Sequence, residues 1–477
     1  MNMSVHFDPE LMRRYDREGP RYTSYPTAIQ FRDLPADCYA TAATSSAGAR
    51  DGSPLSLYVH IPFCQSPCFY CGCNKIVTRQ IQLADPYLAR LFTEISLRSA
   101  YFEANREVEQ LHLGGGTPTF LSADRLRSLI DMLDRYFRLS NASTRDYSIE
   151  IDPRTVDETY VRSLADLGFN RISIGVQDFD PPVQEAINRV QPVELVQRIL
   201  DAARANGFGS INFDLIYGLP LQTLSGFGTT LDRVLAMRPD RLAVYGYAHM
   251  PHVFKAQRQL VQTQLPNAST RLALLQLAVN KLTGAGYEYI GMDHFALPTD
   301  GLAQAQRAGS LHRSFQGYTT HASRDLVSFG VSAIGQIGAL YIQNHKAMRD
   351  YEDAIDGGAL PSLRGVTMTV DDVLRKDVIQ QIMCHGTVDI GATEARYGIE
   401  FDAYFEAELP RISSLQADGL VHRDVARIDL TPRGRLLMRN VAMAFDRYRP
   451  WEQGTGDQAQ GDGGRADPGQ APMSRAI

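Results

Sequence analysis

The chain has 477 residues, room for two to four domains or one large barrel with attachments. Hydrophobic residues make up 44% and charged residues 21%, ordinary globular usage that excludes wholesale disorder. With 48 Lys+Arg against 54 Asp+Glu the net charge is −6, which excludes the overall basic footprint of a general nucleic-acid binder while leaving room for a local basic pocket.

No apolar run of about 18 residues occurs, so no membrane span is expected. Residues 1–9 lack a secretory pattern, and a cytoplasmic protein is expected. Residues 1–50 read as loop-rich. From Leu55 the pattern changes to short apolar runs alternating with amphipathic stretches. Strands are predicted at 55–61, 110–113, 147–151, 170–176, 210–216 and 241–247, all rich in β-branched and aromatic residues. Between them, Asp85-Pro86 reads as a helix N-cap followed by proline, and Leu88, Leu91, Phe92 and Ile95 follow at helical spacing. Ser122 opens the next helix. Thr155 and Glu158 have capping-box spacing, with a stop at Gly168. Helices end in glycine plus an aromatic at Gly168-Phe169, Gly207-Phe208 and Gly286-Tyr287, a weak internal echo of a repeated unit. Six βα units imply a parallel sheet, and an open barrel or a doubly wound sheet both fit. In either, active residues belong at the C-terminal ends of the strands.

Beyond Val331 the pattern reads as helical, for example over 373–384. A wing-like pair at 419–422 and 427–430 precedes a helix opening near Thr431-Pro432. Without a basic face it reads as a packing module rather than a nucleic-acid reader. The stretch 452–471 is rich in Gly, Gln, Asp and Pro and reads as disordered.

Four of the six cysteines, Cys64, Cys68, Cys71 and Cys73, fall within ten residues directly after the first strand. A disulfide framework is spread more widely, so the cluster points to metal. The spacing C-x3-C-x2-C puts three thiolates on one tight loop. They can hold three irons of a four-iron cluster and leave the fourth open to a ligand. The alternative is a structural zinc held by Cys64, Cys68, Cys71 and Cys73, although zinc sites usually draw ligand pairs from two separated segments. Cys38 and Cys384 have no partner at ligand spacing and read as core thiols. After the second strand, the run Gly114, Gly115, Gly116, Thr117, Pro118 is either a tight turn or a place where a ligand approaches the backbone closely. It is not a G-x-G-x-x-G fingerprint. Glu150, Gln177, Asp178 and Asp214 lie at strand ends, facing a barrel mouth or forming surface pairs.

These motifs resemble the radical S-adenosylmethionine (SAM) enzymes, and within them the oxygen-independent coproporphyrinogen III oxidase family. The resemblance rests on the blocks beginning at Pro20, Tyr58, Cys71, Gly114, Gly175, Asp214, Gly291 and Phe315, and covers nearly the whole chain except the tail. It implies an α/β fold, a partial (β/α)6 TIM-like barrel of the radical SAM type. A loop-rich N-terminal extension (1–50) would cover the site, with the barrel at 51–345, a mainly helical C-terminal domain at 346–451 and a disordered tail at 452–477. It implies one [4Fe-4S] cluster on Cys64, Cys68 and Cys71, and two SAM molecules. Glu150, the strand end at Gly115, Gly116 and Thr117, and the backbone of Ala248 and Ile334 would serve SAM at the cluster. Gln177, Arg189 and Asp214 would contact a second SAM, and Tyr58 and Tyr70 the two together. Tyr70 stands where the family often has Phe. Cys73 is expected to serve activity rather than ligation, and Arg21 to meet an anionic substrate.

The implied reaction is oxygen-independent oxidative decarboxylation of two propionates of coproporphyrinogen III, giving protoporphyrinogen IX through a 5′-deoxyadenosyl radical. The implied enzyme is monomeric and takes electrons from a small protein such as flavodoxin or ferredoxin. A heme chaperone sharing the cluster loop is the alternative function. The Cys71-Gly72-Cys73 sequence and the block Pro20-Arg-Tyr-Thr-Ser-Tyr-Pro-Thr27 argue against it.

Overall fold

The computed structural model describes residues 5–35, 37–49, 53–103, 106–321, 325–449 and 474–475. The expected disordered tail lies outside the described residues, apart from Ser474–Arg475, which pairs antiparallel with Glu18–Gly19. No helix among the described residues is long and apolar enough to cross a membrane.

The described residues form two compact units, one drawn from Arg32–Gln304 and Thr320–Thr367, the other from Met1–Phe31, Ala305–Thr319 and Met368–Ile477. The first contains the predicted barrel. Its strands are β1 (Leu55–Ile61), β2 (Glu107–Gly115), β3 (Asp146–Ile151), β4 (Arg171–Gln177), β5 (Ser210–Tyr217) and β6 (Arg241–Gly246). They lie side by side in chain order and all run parallel. Beyond β6 the sheet ends in the antiparallel strands β7 (Glu288–Gly291) and β8 (His294–Ala296). On the other side, β9 (Asp325–Phe329) pairs parallel with β1. The sheet then continues antiparallel through β10 (Ile334–Ile337), β11 (Leu340–Asn344) and β12 (Ser362–Thr367). The path has two ends, so this is an open α/β barrel rather than a closed one.

The strands keep their register through period-2 alternation. Leu57, Val59, Leu111, Leu113, Ile149, Ile174, Phe213 and Leu215 are fully buried on one face. The other face carries polar side chains that bond across strands: Ser56 to Gln110, His112 to Ser148, and Ser173 to Asp214. A strand alternating in this way has helices over its apolar face and a site on the other.

Local signals succeed where the cap is purely local. Ser122 accepts from the Arg125 amide at 3.4 Å and opens the helix Ala123–Tyr136. Two expected caps are corrected. Asp85 lies inside the helix Ala84–Ser99, because a short 3-10 turn (Ile81–Leu83) leads into it; its carboxylate instead meets Arg125 at 2.6 Å. Thr155 donates to the Asp152 carbonyl, and the true N-cap of Glu158–Asp166 is Asp157. Gly168, Gly207 and Gly286 have φ of +92°, +79° and +88°. Each turns its chain out of a helix and sends the next aromatic into the core, which explains the echo.

One broader expectation also differs. The stretch after Val331 begins as strand, because β10 and β11 extend the barrel sheet and β11 is buried at every position; the helix Met348–Asp356 then follows, ahead of β12. The unit that holds the barrel sheet also takes in residues 32–49 and 346–367. In the second unit, the capping box of Thr369 and Asp372 opens the helix Val370–His385. That helix precedes a three-stranded sheet of Thr387–Asp389, Arg427–Leu430 and Val421–Arg423. Thr431 starts a turn and a 3-10 segment, Gly434–Leu437, which leads into the short helix Met438–Ala442, so the expected helix opens later than Thr431-Pro432.

Candidate active site

The cysteine loop leaves the C-terminal end of β1 and is closed at its neck. Phe63–Cys64 pairs with Ile76–Val77, and the Ile76 amide donates to the Pro62 carbonyl at 2.7 Å. Its outer backbone is held from two sides. Asn188 donates to the Pro67 carbonyl at 2.7 Å, and Gln257 donates to the Tyr70 and Ala248 carbonyls at 3.0 and 3.1 Å. All six cysteines are free thiols. Cys64 and Cys68 are buried, Cys71 is half-buried and Cys73 is exposed.

Each sulfur of the tripod has a polar neighbour. Cys64 Sγ lies 3.3 Å from Thr117 Oγ1. Cys68 Sγ receives N–H groups from Arg189 at 3.6 Å and Arg154 at 3.7 Å. Cys71 Sγ accepts the Cys73 amide at 3.4 Å, and Lys75 Nζ is 3.3 Å from the Cys71 carbonyl. The hydrogen bond with Cys73, reinforced by Lys75, holds the Cys71 thiol well below its ordinary pKa. Burial pushes Cys64 up to about 11. This donor set fits an anionic iron–sulfur cluster, whose thiolates are stabilised by hydrogen bonds and nearby cations. It does not fit one zinc ion, which needs its ligands within about 4 Å of one another. Among the described residues no three Cys, His, Asp or Glu side chains are gathered around one such point.

Beside the loop, the glycine run is shaped by close approach. Gly115 has φ +117°, and a Cβ there would lie 2.7 Å from the His60 ring; one on Gly116 would lie 2.8 Å from the Pro62 carbonyl. Thr117 bonds through its amide to the Phe63 carbonyl at 2.9 Å. The polar face of the sheet reaches the same end. Tyr58 stacks on His112, with ring centroids 5.8 Å apart, and its hydroxyl is 3.1 Å from His60 Nδ1. His112 bridges Ser148 at 2.6 Å and Glu150 at 3.2 Å. Glu150 also accepts from the Gly115 amide at 3.4 Å. Burial, followed by the charge of Glu150, lifts Asp214 to about 6.

A family model described as "Radical SAM superfamily" matches residues 58–234, and one described as "HemN C-terminal domain" matches 368–437. An oxygen-independent coproporphyrinogen III oxidase of Pseudomonas aeruginosa is 49% identical over 449 residues, covering 94% of this chain and 97% of that protein. That of Escherichia coli K12 is 46% identical over 444 residues, covering 93% and 96%. A solved structure, titled coproporphyrinogen III oxidase (HemN) from Escherichia coli is a radical SAM enzyme, is 44% identical with a TM-score of 0.88. It covers 94% of this chain and 100% of that one. The chain belongs to the oxygen-independent coproporphyrinogen III oxidase family. It is a radical SAM oxidoreductase, and membership implies a [4Fe-4S] cluster and SAM.

Against that family, the structure gathers most of the sequence-predicted residues at one end of the sheet. Glu150 and Gln177 lie at the C-terminal ends of β3 and β4, while Tyr58 and Asp214 lie mid-strand in β1 and β5. Gln177 has φ +66°, and its amide nitrogen lies 2.8 Å from where a Gly175 Cβ would stand. Ala248 follows β6, and Ile334 follows β9 at the same end as β1. Arg189 is buried, with donors to Asp152 at 2.5 Å, the Gly175 carbonyl at 2.9 Å and Gln191 at 3.1 Å as well as Cys68. Arg21 belongs to the other unit, where its carbonyl accepts from Arg313 Nε at 3.2 Å. Sequence reasoning missed His60, His112, Asp152 and Arg154. The even-numbered polar positions of β1 to β3 would have flagged His60 and His112. No local signal marks Asp152 and Arg154, whose role depends on Cys68, more than 80 positions away.

Proposed function

We propose that this protein decarboxylates two propionate side chains of coproporphyrinogen III oxidatively to vinyl groups, giving protoporphyrinogen IX without oxygen. The reading is carried by the three-thiol loop standing over a polar barrel face in a chain that matches named oxidases along more than nine-tenths of its length. Cys64, Cys68 and Cys71 would hold the cluster, and Glu150, Ala248, Ile334 and the Gly115–Thr117 strand end would hold SAM beside it. When bound, cluster and SAM supply a one-electron cleavage yielding the 5′-deoxyadenosyl radical that abstracts hydrogen from the propionate.

The protein's own part is orientation and shielding. Gly115 and Gly116 let a ligand reach backbone amides and carbonyls. Glu150, placed by His112 and the Gly115 amide, offers a carboxylate to an ammonium group. Gln177, Arg189 and Asp214 would take a second SAM. Its carboxylate would have to share Arg189 with Asp152, since each of its nitrogens already has a partner. Tyr58 and Tyr70 would wall the two SAM sites. Arg21 is the cation proposed to meet a substrate propionate. Cys73, exposed next to Cys71, remains a thiol available to the reaction. A monomeric, cytoplasmic enzyme fed by a small electron carrier completes the reading.

The test is anaerobic incubation of reconstituted protein with coproporphyrinogen III, SAM and dithionite. Protoporphyrinogen and 5′-deoxyadenosine should form together. Stoichiometric heme uptake with no vinyl product would establish the chaperone reading instead.

A further inference from the structure

The charge of this acidic chain is unevenly distributed. Its 54 acidic residues are spread over 477 positions, yet none occurs from 63 to 84, the cysteine loop and its neck, and none from 241 to 287. The two stretches meet in space. A Cβ on Gly72 would lie 3.0 Å from the Phe254 ring, and Gln257 donates to the Tyr70 carbonyl at 3.0 Å. A third segment joins them where Asn74 Nδ2 donates to the Lys346 carbonyl at 3.0 Å. Gly72, Cys73 and Asn74 are exposed, as are His252, Lys255, Arg258 and Lys346 on the flanking segments. Val77 and Val253, in the same two acid-free stretches, are 43% and 44% exposed. The inner side of the turn borders the site, since the Asn74 carbonyl lies 3.0 Å from His60 Nε2 and the charge of Glu150 acts on the Cys73 thiol.

We infer that the Gly72–Cys73–Asn74 turn, flanked by the segments that carry Lys255, Arg258 and Lys346, is the docking surface for an acidic protein that carries single electrons. The inference rests on the function proposed above, because it gives that chemistry its electron source. Three observations carry it. Cations without interspersed acids attract an acidic surface and speed its encounter. Exposed aliphatic side chains among them supply the apolar contact typical of a protein interface. Residues 72–74 immediately follow the third thiol of the tripod, so a carrier seated there is separated from the cluster by one turn of backbone. In the step itself the reduced carrier loses one electron and the cluster gains it, and no bond is made or broken.

The experiment compares two reductants on anaerobically reconstituted enzyme, a flavodoxin kept reduced by its NADPH-dependent reductase, and dithionite. In the double variant Lys255→Glu, Arg258→Glu, flavodoxin-driven turnover at low salt should fall tenfold or more through a raised KM for flavodoxin. The steep salt dependence of the wild-type rate should be lost as well. Dithionite-driven turnover, substrate KM and iron content should stay at wild-type values. If charge reversal disturbs the loop and iron is lost, the neutral pair Lys255→Gln, Arg258→Gln carries the same comparison, with about a threefold loss expected. Unchanged flavodoxin-driven turnover overturns the inference. So does an equal fall with dithionite accompanied by a raised substrate KM, which would assign these cations to the substrate. No product with dithionite in the wild type would instead sink the proposed function.

Discussion

The two ends of the barrel sheet are both rich in charge, and they use it in opposite ways. At the N-terminal ends of the strands, charges are closed on one another. Arg241 meets Asp300 at 2.8 Å, Arg106 meets Asp325 at 3.3 Å, Arg204 meets Asp240 at 2.6 Å, and Arg171 pairs with Asp146. At the C-terminal ends only part of the charge is closed, where Asp152 meets Arg189 at 2.5 Å and Arg154 at 2.7 Å, and the rest is left available. Glu150 is half exposed and meets a histidine and an amide, the Cys68 thiol faces two guanidinium groups, and among the described residues Asp214 bonds to Ser173 and Asn212 and forms no salt bridge. The comparison teaches that charge density alone does not mark a site. What marks it is charge that the fold has positioned without neutralising.

The largest effect that would break this contrast is at the sulfurs. Cys64→Ala, Cys68→Ala or Cys71→Ala should each abolish 5′-deoxyadenosine formation and strip most of the cluster iron, read by iron and sulfide analysis, while thermal unfolding changes little. Retention of a SAM-responsive cluster in any of the three would remove the tripod. At the opposite end, Asp300→Asn should do the reverse. It leaves a buried Arg241 cation unpaired, at a cost of about 3–5 kcal/mol in denaturant unfolding, with normal iron content in the protein that remains folded.

A third prediction uses pH. Asp214 holds its proton up to about pH 6 when folded, against about 3.9 in the unfolded chain. The folded state binds the proton more tightly. The resulting stability is therefore present below about pH 4 and lost as pH rises through 6. Asp214→Asn should flatten that fall, making the cluster-free protein about 1–3 kcal/mol more stable than wild type at pH 7.5. Denaturant midpoints at pH 4.5 and 7.5 check it, and parallel curves for the two proteins would refute it. The smallest effect concerns Arg154. Removing its N–H···S contact in Arg154→Gln should make the cluster harder to reduce, by up to a tenfold change in the reduced-to-oxidised ratio at fixed potential, about 59 mV. Arg154→Lys should recover part of this. EPR at poised potentials reads it, and an unchanged midpoint would leave Arg154 a purely structural partner of Asp152.

The sequence by itself determined the parallel strands, because period-2 alternation and glycine stops are local consequences of backbone geometry; β1 was predicted to the residue and β4 and β5 within one. It also determined that three thiols share one loop, Cys64, Cys68 and Cys71, since that spacing needs no distant partner. Only tertiary structure decided the rest. Whether Asp85 caps a helix or pairs with Arg125, whether residues 334–344 coil into helix or extend the sheet, and that Arg154 and Arg189 converge on Cys68, all depend on segments brought together from far along the chain. Pairings of that kind gain their energy from proximity that folding creates, so nothing in the local pattern of residues encodes them.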